Sequence, residues 1–517
     1  MTLSTSFASL LEQRPHDLAY ICLDQSATRA QLSGAADHMA GYLKSLGISR
    51  GDTICVWLPD GGTWFQILFA SARLGVLVVP VSTRLRFEEA LHVVKTAKAK
   101  LIFVQPQFVG YDYWEVAHQI KAEVSCVEKI IPVQTPASLM DCGSYAPVQE
   151  DEGQPSDLLC TFSTSGTTGN PKLATHSQWG ILHHARNVAA FTDVAPGDTS
   201  LCALPLYGVL GFVQAISALA GCGKCVFMQT FNTERAAKLM DEHHATHFYG
   251  GEGLFDDIVS VPGCGAKSWK TVGFAEFAGR GLEVTQKAQQ RLGVRMTALY
   301  GSSECFAIMA GQIKSEEPKD RAVAGGKPIS SEIEFRVADI ETGQTVADQE
   351  KGELQFRGYN VMPGYLNNPS ATAEAFTPDG WFKSGDLGYR YGEKFAYISR
   401  IKDTLRLRGY LVDPVEIEEF LSRHPAILDA QVVAWRHPER GDVAVAFLRK
   451  RDPSIDAPTI HQHCRSGLAN YKVPSHFVFV DDYPRKEGPN GLKILKNKIR
   501  DMAKDIVLNS ETHGTKL

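Results

Sequence analysis

The chain has 517 residues, 44% of them hydrophobic and 21% charged, with 53 Lys and Arg set against 58 Asp and Glu for a formal charge of −5. At roughly 100–200 residues per domain this length accommodates about three domains and a large core. A mildly acidic balance spread along the chain excludes the basic footprint of a nucleic-acid binder and the polybasic anchor of a membrane-surface protein.

The first residues, MTLSTSFASLLEQRPHDLAY, show no basic segment followed by an apolar one, so no signal peptide is expected. Residues 29–47 place Leu32, Ala35, Met39, Leu43 and Leu46 on one stripe, which predicts a helix, and the short apolar strand ICVWLP follows. The unit repeats as WFQILFASARLG then VLVVPV, and again as EEALHVVKTAKA then KLIFV. Helix followed by buried, β-branched strand, three times over, argues a parallel sheet covered on both faces. A polar, Gly/Pro-containing passage at 143–157 closes this segment. Alternating α/β sequence resumes to about residue 310, strand- and turn-rich sequence occupies 320–398, and a compact α+β unit follows beyond Arg400.

Thr199 to Gly223, 25 residues, contain no Asp, Glu, Lys or Arg. A bilayer-spanning helix needs about 20 apolar residues, so the length suffices. Pro205, Gly208, Gly211, Gly221 and Gly223 punctuate the run and Gln214 dilutes it, which predicts buried loop, helix and strand with no membrane span. The 11 cysteines are odd in number and follow no framework spacing, which points to reduced thiols in a cytoplasmic compartment. Cys222-Gly-Lys-Cys225 has no second pair, so buried core is the expectation there in preference to zinc. His243, His244 and His247, and His461 and His463 beside Cys464, have spacings a metal could use, but solvated helix faces are the expectation. The final Thr515-Lys516-Leu517 is similar to the peroxisomal Ser-Lys-Leu address.

The sharpest local signal is Thr161–Lys172, TFSTSGTTGNPK, which follows the apolar LLC. Glycines let backbone N–H groups turn inward, hydroxyls add donors and the lysine adds charge, so the loop suits a polyphosphate. The spacing G-x-x-x-x-G-K-[ST] is absent, which counts against an ordinary P-loop enzyme. In its order, S-G-T-T-G-x-P-K, the loop resembles that of the adenylate-forming superfamily: acyl-CoA synthetases, adenylation domains and firefly-type luciferases. Four further segments carry the same resemblance in the same order. They are Leu299-Tyr300-Gly301-Ser302-Ser303-Glu304; Gly380–Leu387 (GWFKSGDL); Ser399-Arg400-Ile401-Lys402-Asp403 with Gly409 and the run Pro414 to Glu418; and Asn490-Gly491-Leu492-Lys493-Ile494.

The resemblance implies an α/β fold in which residues 1–398 form a large multi-layer ATP- and acid-binding domain, its parallel-type sheets covered by helices. Residues 399–402 are then a hinge and 403–517 a small mobile α+β lid. It implies ATP, Mg2+ and CoA as cofactors of an acid–thiol ligase. The acid's carboxylate oxygen attacks the α-phosphorus and expels pyrophosphate, and the CoA thiol then displaces AMP from the acyl-adenylate. Such an enzyme must hold reactants in line and stabilise charge that shifts during the step. Thr164, Ser165, Gly166, Thr167, Thr168, Gly169 and Lys172 would wrap the phosphates. Glu304 would serve catalysis as the carboxylate ligand of Mg2+, with Thr164 the second candidate ligand. Tyr300 would stack on adenine beside Gly301 and Ser303, and Asp386, an acceptor-only side chain, would take the ribose hydroxyls. Arg400 would contact ribose or phosphate, Lys402 would be the hinge residue, and Arg408, Gly409 and Tyr410 would meet CoA. Lys493, preferred over Lys496, would be the catalytic cation spanning carboxylate and α-phosphate oxygens.

The chain departs from the family pattern in places. Leu173 stands where glycine follows Pro-Lys, Phe274-Ala275-Glu276 where a Gly-Gly pair is common, Tyr207 where Phe-His is common, and Lys493 sits one residue farther from its glycine. Trp179, His183, Tyr207, Gly211, Tyr249, Glu276 and Met309 are acyl-pocket candidates by position, each with core packing as the alternative reading. The uncharged run at 199–223 favours an apolar acid, fatty or aryl. The same motifs leave open loading of a carrier protein in place of CoA, a luciferase-like oxidative enzyme, and a non-catalytic nucleotide-binding homologue.

Overall fold

The computed structural model describes residues 6–512 apart from 165–170, 263, 265–267, 276–280, 314, 316, 408–409, 413, 438–440 and 489–490. At positions 406, 410, 411, 437, 441, 487–488, 491–493 and 505–512 the description covers the backbone alone. The described residues fall into two compact units, the first built from those up to 275 with 281–335 and 355–383, the second from 336–354 with those from 384 to 512.

In the first unit the three helix–strand repeats form where the periodicity puts them. Thr28 caps the helix Arg29–Ser45 by accepting from the Gln31 N–H while the Gln31 amide accepts from the Thr28 N–H, a reciprocal pairing that satisfies two donors left over at a helix start. Its buried face is Leu32, Ala36, Met39, Ala40 and Leu43. Ala35 lies at the margin of that face, where its carbonyl accepts from Gln66 of the neighbouring helix Gly62–Leu74. The strands are short apolar runs such as Leu77–Pro80 and Leu101–Val104, buried at every position, as expected of a parallel sheet with both faces covered.

Six strands form one sheet in the order Leu173–Ser177, Leu158–Ser163, Leu77–Pro80, Thr53–Trp57, Leu101–Val104, Lys129–Pro132. Every neighbouring pair is parallel except the first, which is antiparallel. That exception positions the site, because the hairpin it makes carries the Ser/Thr/Gly loop at its turn. In a second sheet the strands Leu18–Cys22, Lys224–Phe227, Thr199–Cys202, His247–Gly251, Thr271–Ala275 and Met296–Ser302 run parallel in that order. Phe306–Gly311 then folds back antiparallel on Met296–Ser302.

The uncharged run resolves into the strand Thr199–Cys202, a turn, and the helix Val209–Ala220. That helix has 12 residues, about 18 Å at 1.5 Å per residue, against about 30 Å of bilayer hydrocarbon. No helix among the described residues is long and apolar enough to cross a membrane. The carbonyls of Leu219 and Gly223, at and just beyond the helix end, accept from the buried Arg29 guanidinium at 3.1 and 2.8 Å, a cation placed at the negative end of the helix dipole.

In the second unit, strands Leu405–Leu407, Tyr410–Val412, Ile427–His437, Gly441–Lys450 and His476–Phe479 form a mixed sheet. Helices Pro414–Ser422 and Ala457–Gly467 bury Ile417, Leu421, Ile460 and Cys464 in one core with the sheet, while Ile499 and Ala503 of the helix Lys496–Thr512 join Val433, Trp435, Val445 and Phe447 in another.

One acid in the first unit is buried out of reach of solvent. Asp60 is 3% exposed; its Oδ1 accepts from the Leu206 N–H at 2.9 Å and its Oδ2 has no hydrogen-bond partner among the described residues. Desolvation outweighs the Leu206 bond and pushes the carboxyl up to about 7. The unfolded chain releases this proton near the ordinary aspartate value, so between that value and about 7 the folded state binds more protons and stability falls as pH rises. Asp60→Asn removes this titration. Urea unfolding should show the variant gaining about 2 kcal/mol relative to wild type between pH 5 and pH 8; a difference that is flat across that range contradicts the assignment.

Candidate active site

The Ser/Thr/Gly loop spans the antiparallel hairpin. Residues 165–170, which include the candidates Ser165, Gly166, Thr167, Thr168 and Gly169, lie outside the described residues. The Thr164 N–H donates to the Lys172 carbonyl at 2.8 Å, which closes the hairpin ladder at the loop's base. Thr164 Oγ1 is buried and has no hydrogen-bond partner among the described residues, a donor and acceptor kept for something else. Lys172 Nζ sits 4.3 Å from the ring centroid of Tyr365.

Glu304 lies in the turn between Met296–Ser302 and Phe306–Gly311. Gly301 shapes this turn, because a Cβ there would lie 2.2 Å from the Phe306 carbonyl oxygen and 2.6 Å from the Ala307 Cα. Phe306 and Ile308 adopt φ of +61° and +59°, left-handed backbone that costs a bulky residue of order 1–3 kcal/mol. What holds it is a stack: the Phe306 ring lies between His176, at 3.8 Å and 24°, and His184, at 4.7 Å and 14°. His176 Nε2 donates to the Ser303 carbonyl and His184 Nε2 to the Ala307 carbonyl, each at 2.8 Å. Burial keeps both rings neutral, His176 lowered to about 4 and His184 to about 3.

The Glu304 segment is bonded directly to the hairpin, since Ser303 Oγ donates to the Ser163 carbonyl at 3.2 Å. The half-buried Glu304 carboxylate accepts from the Tyr365 phenol at 2.9 Å on Oε1, and its carbonyl accepts from the Met362 N–H at 2.7 Å. Tyr300, the adenine candidate, is 6% exposed and packs on Phe356 at 5.5 Å. Thr164, Lys172, Gly301, Ser303 and Glu304 are thus brought into one constellation, and Tyr365, His176 and His184 belong to it although their sequence contexts did not mark them.

In the second unit, Asp386 and Arg400 are register partners on the strands Phe382–Tyr391 and Lys394–Arg400. Arg400 Nε reaches Asp386 Oδ1 at 2.9 Å and its Nη1 donates to the Ser384 carbonyl at 3.0 Å. Asp386 is 3% exposed, so the guanidinium offsets the cost of burying the carboxylate. Lys402 is exposed in the short turn Ile401–Asp403, and Arg500 pairs with Asp403 and donates to the Lys402 carbonyl. Lys496 Nζ is bound at 2.8 Å to Glu418 Oε1, which also accepts from the Val432 N–H; this lysine is committed to the fold of its own unit. Lys493 lies on the hairpin strand Gly491–Ile494 opposite Lys486, with its side chain outside the description. Arg408 and Gly409 lie outside the described residues, and Tyr410 is placed by its backbone opposite Leu407.

The acyl-pocket candidates separate. Tyr249 and Met309 are 1% and 0% exposed, packed in the core. Gly211 lets the helix Val209–Ala220 approach its preceding turn, where a Cβ would meet the Leu204 and Pro205 carbonyl oxygens at 2.5 Å. Tyr207 is half-buried in that turn, its phenol raised by burial. The exposed Trp179 stacks on His183 at 4.9 Å, and His183 Nε2 meets Glu332 Oε2 at 2.5 Å. Glu276 lies outside the described residues. Between the helices Gln178–Phe191 and Val209–Ala220 runs a narrow apolar seam lined by Ile181, Ala185, Phe212, Val213 and Ile216, with His184 and Phe306 closing it.

Comparison with known proteins places this geometry. The AMP-binding enzyme model matches residues 7–366 and the AMP-binding enzyme C-terminal domain model matches 416–488. Similar curated proteins include a putative acyl-CoA synthetase, YngI, of Bacillus subtilis (strain 168), 26% identical over 92% of this chain and 91% of that protein. A mitochondrial medium-chain acyl-CoA ligase of Danio rerio is 28% identical over 92% and 83%. Among solved structures, ATP-bound MatB of Rhodopseudomonas palustris superposes with a TM-score of 0.86 at 23% identity, covering 98% of this chain and 100% of that one. The o-succinylbenzoate CoA synthetase of Bacillus subtilis, in complex with its acyl-adenylate, gives 0.81 at 24% over 96% and 98%. With a Ser/Thr/Gly-loop hairpin bonded to a carboxylate-bearing turn, and family models matching residues 7–366 and 416–488, the chain belongs to the AMP-binding enzyme family.

Proposed function

We propose that the protein is an ATP-dependent acid–CoA ligase for an apolar carboxylic acid. The observation that carries the reading is the direct bonding of the Glu304 turn to the base of the Ser/Thr/Gly hairpin, which presents a carboxylate beside a polyphosphate cradle. The names of the similar acyl-CoA synthetase and medium-chain acyl-CoA ligase support it. In the first half-reaction a carboxylate oxygen of the acid bonds to the α-phosphorus of ATP and the bond to pyrophosphate breaks. In the second, the CoA sulfur bonds to the acyl carbon, AMP leaves and the thiol proton is released.

The chain's own groups divide the work. The hairpin loop and Lys172 take the β- and γ-phosphates through N–H, hydroxyl and ammonium donors. Mg2+, when bound, neutralises charge on the phosphate oxygens. Glu304 and Thr164 fit it, one as a hard carboxylate donor, the other as a buried hydroxyl without a partner among the described residues. Asp386, fixed by Arg400, accepts from the ribose hydroxyls, and Lys493 places a compact positive charge on the carboxylate and α-phosphate oxygens. Residues 399–402 act as hinge about Lys402, with Arg408, Gly409 and Tyr410 assigned to CoA. Eleven free thiols, eight of them buried, support a reducing compartment such as the cytoplasm.

The acid's chemistry is read from the uncharged run at 199–223. The helix Val209–Ala220 has no charged residue, and the seam beside it is lined by aliphatic and aromatic side chains. An apolar acid suits such surroundings, whereas a second carboxylate there would be buried without a partner.

Two tests follow. With ATP, Mg2+ and CoA, a panel of acids should give pyrophosphate release and CoA consumption together, with aliphatic monocarboxylates exceeding dicarboxylates at least tenfold in kcat/KM; pyrophosphate release without CoA consumption shifts the acceptor to a carrier protein, and no release with any acid refutes the reading. Lys493→Ala should lower acid-dependent pyrophosphate release at least 100-fold while thioester formation from supplied acyl-adenylate stays within about threefold of wild type. Normal pyrophosphate release by that variant removes Lys493 from the mechanism.

A further inference from the structure

Tyr365 stands in a part of the chain that the nucleotide motifs do not cover, yet it touches both sides of the proposed phosphate site. Its phenol donates to Glu304 Oε1 at 2.9 Å, and its ring face lies 4.3 Å from Lys172 Nζ. A residue in such a place could be incidental if its backbone were loose. Here the backbone is pinned on both sides. Tyr365 forms a β-bridge with Ala174, the next residue but one after Lys172, and its own N–H donates to Thr372 Oγ1 at 2.9 Å. Its neighbours are fixed to the same strand, since Thr175 donates to the Gly364 carbonyl from both N–H and Oγ1 and the Leu366 N–H donates to the Leu173 carbonyl. The side chain is 7% exposed. The Glu304 turn is tied to the same stretch through the Met362 N–H and through Asn360, whose amide donates to the Cys305 carbonyl at 2.9 Å.

We infer that Tyr365 is a positioning residue for the ATP-consuming half-reaction, its hydroxyl orienting the Glu304 carboxylate and its ring seating the Lys172 ammonium. The chemistry suits both tasks. A phenol is a neutral donor, so it can fix one carboxylate oxygen and leave the full negative charge available to a divalent cation, which a lysine or arginine in the same place would cancel. Outer-shell donors of this kind orient a metal-binding carboxylate, and their loss commonly costs 10–100-fold in metal affinity. An aromatic face holds an ammonium by its quadrupole without consuming its hydrogen-bond donors, so Lys172 keeps its N–H groups for phosphate. One rigid side chain would thereby set the spacing between the anionic and cationic contacts that a metal–triphosphate must meet together.

The inference rests on the proposed function, and the experiment separates the two. Wild type, Tyr365→Phe and Tyr365→Leu are compared by equilibrium titration with ATP in Mg2+ and with ATP in EDTA, alongside pyrophosphate release and thioester formation from supplied acyl-adenylate. Tyr365→Phe keeps the ring and should weaken ATP binding about tenfold in Mg2+ and less than twofold in EDTA, with thioester formation unchanged. Tyr365→Leu should in addition weaken binding in EDTA by about fivefold, because Lys172 loses its seat. Circular dichroism and Tm identify a variant that has lost its fold, in which case Tyr365→Phe, nearly isosteric, decides alone. Equal affinities for wild type and Tyr365→Phe in Mg2+, or tighter binding by the variant, overturn the inference while wild-type pyrophosphate release leaves the ligase reading standing. Wild type that binds ATP but releases no pyrophosphate with any acid overturns the ligase reading instead.

Discussion

The hydrogen bond from His176 to the Ser303 carbonyl is the constraint on which the rest of the candidate site depends. It runs from the edge strand of the six-stranded sheet to the turn of the other sheet, 127 residues away. With the Ser303 hydroxyl on the Ser163 carbonyl, it sets the height of the carboxylate above the base of the hairpin. Burial disfavours the charged imidazole, and neither the Phe306 ring at 3.8 Å nor the Ser303 carbonyl offsets that cost. Burial therefore does two things at once: it drives the histidine to its neutral form and it holds Phe306 in a backbone conformation that a free chain would leave. His184 repeats the arrangement on the Ala307 carbonyl, so the strained segment is clamped at both ends.

How much of this is legible in the sequence divides along the range of the interactions. The parallel strands announce themselves because a strand buried on both faces must be apolar at consecutive positions, as LVVP and LIFV are. The helix Arg29–Ser45 is written in its own cap and stripe. The nucleotide segments are recognisable because the chemistry demands particular residues at fixed local spacing, such as the Gly301 that lets two backbones close to a distance no Cβ tolerates. Tyr365 and His184 are different. Their partners lie 61 and 123 residues away, and a tyrosine before Leu-Asn-Asn-Pro or a histidine on an amphipathic helix looks like ordinary packing until the two sheets are brought together. Tyr249 and Met309, by contrast, carry position without exposure, and the core packing that competes with a pocket role in the sequence is where the structure puts them.

The near-neutral charge of the chain has a counterpart in the site. An enzyme for a polyphosphate could use a cluster of permanent cations, but such a cluster would bind any polyanion and would repel a metal ion. Here Lys172 is held on an aromatic face and the Glu304 carboxylate is supported by a phenol, and under the proposed reading the loop between the hairpin strands adds backbone N–H groups and hydroxyls. Discrimination then comes from geometry, since dipoles and single charges reward only a ligand whose oxygens fall where the donors point.

The acyl side follows a different logic. Along the wall formed by the helix Val209–Ala220, the polar groups are turned to the protein itself: the Gln214 amide donates to Ser200 Oγ and the Leu201 carbonyl, and Ser217 Oγ donates to the Gln214 carbonyl. Arg29 is spent on the carbonyls at the helix end. Gln214 Oε1 is buried without a hydrogen-bond partner among the described residues, and under the proposed reading the apolar remainder of such a wall tells one apolar tail from another by volume. A methylene more or less in an apolar pocket is worth about 1–3 kcal/mol, far less than an unpaired polar group. The seam between the two helices is closed by the same His184 and Phe306 that hold the Glu304 turn, so the packing beside this helix and the support of the candidate site are a single piece.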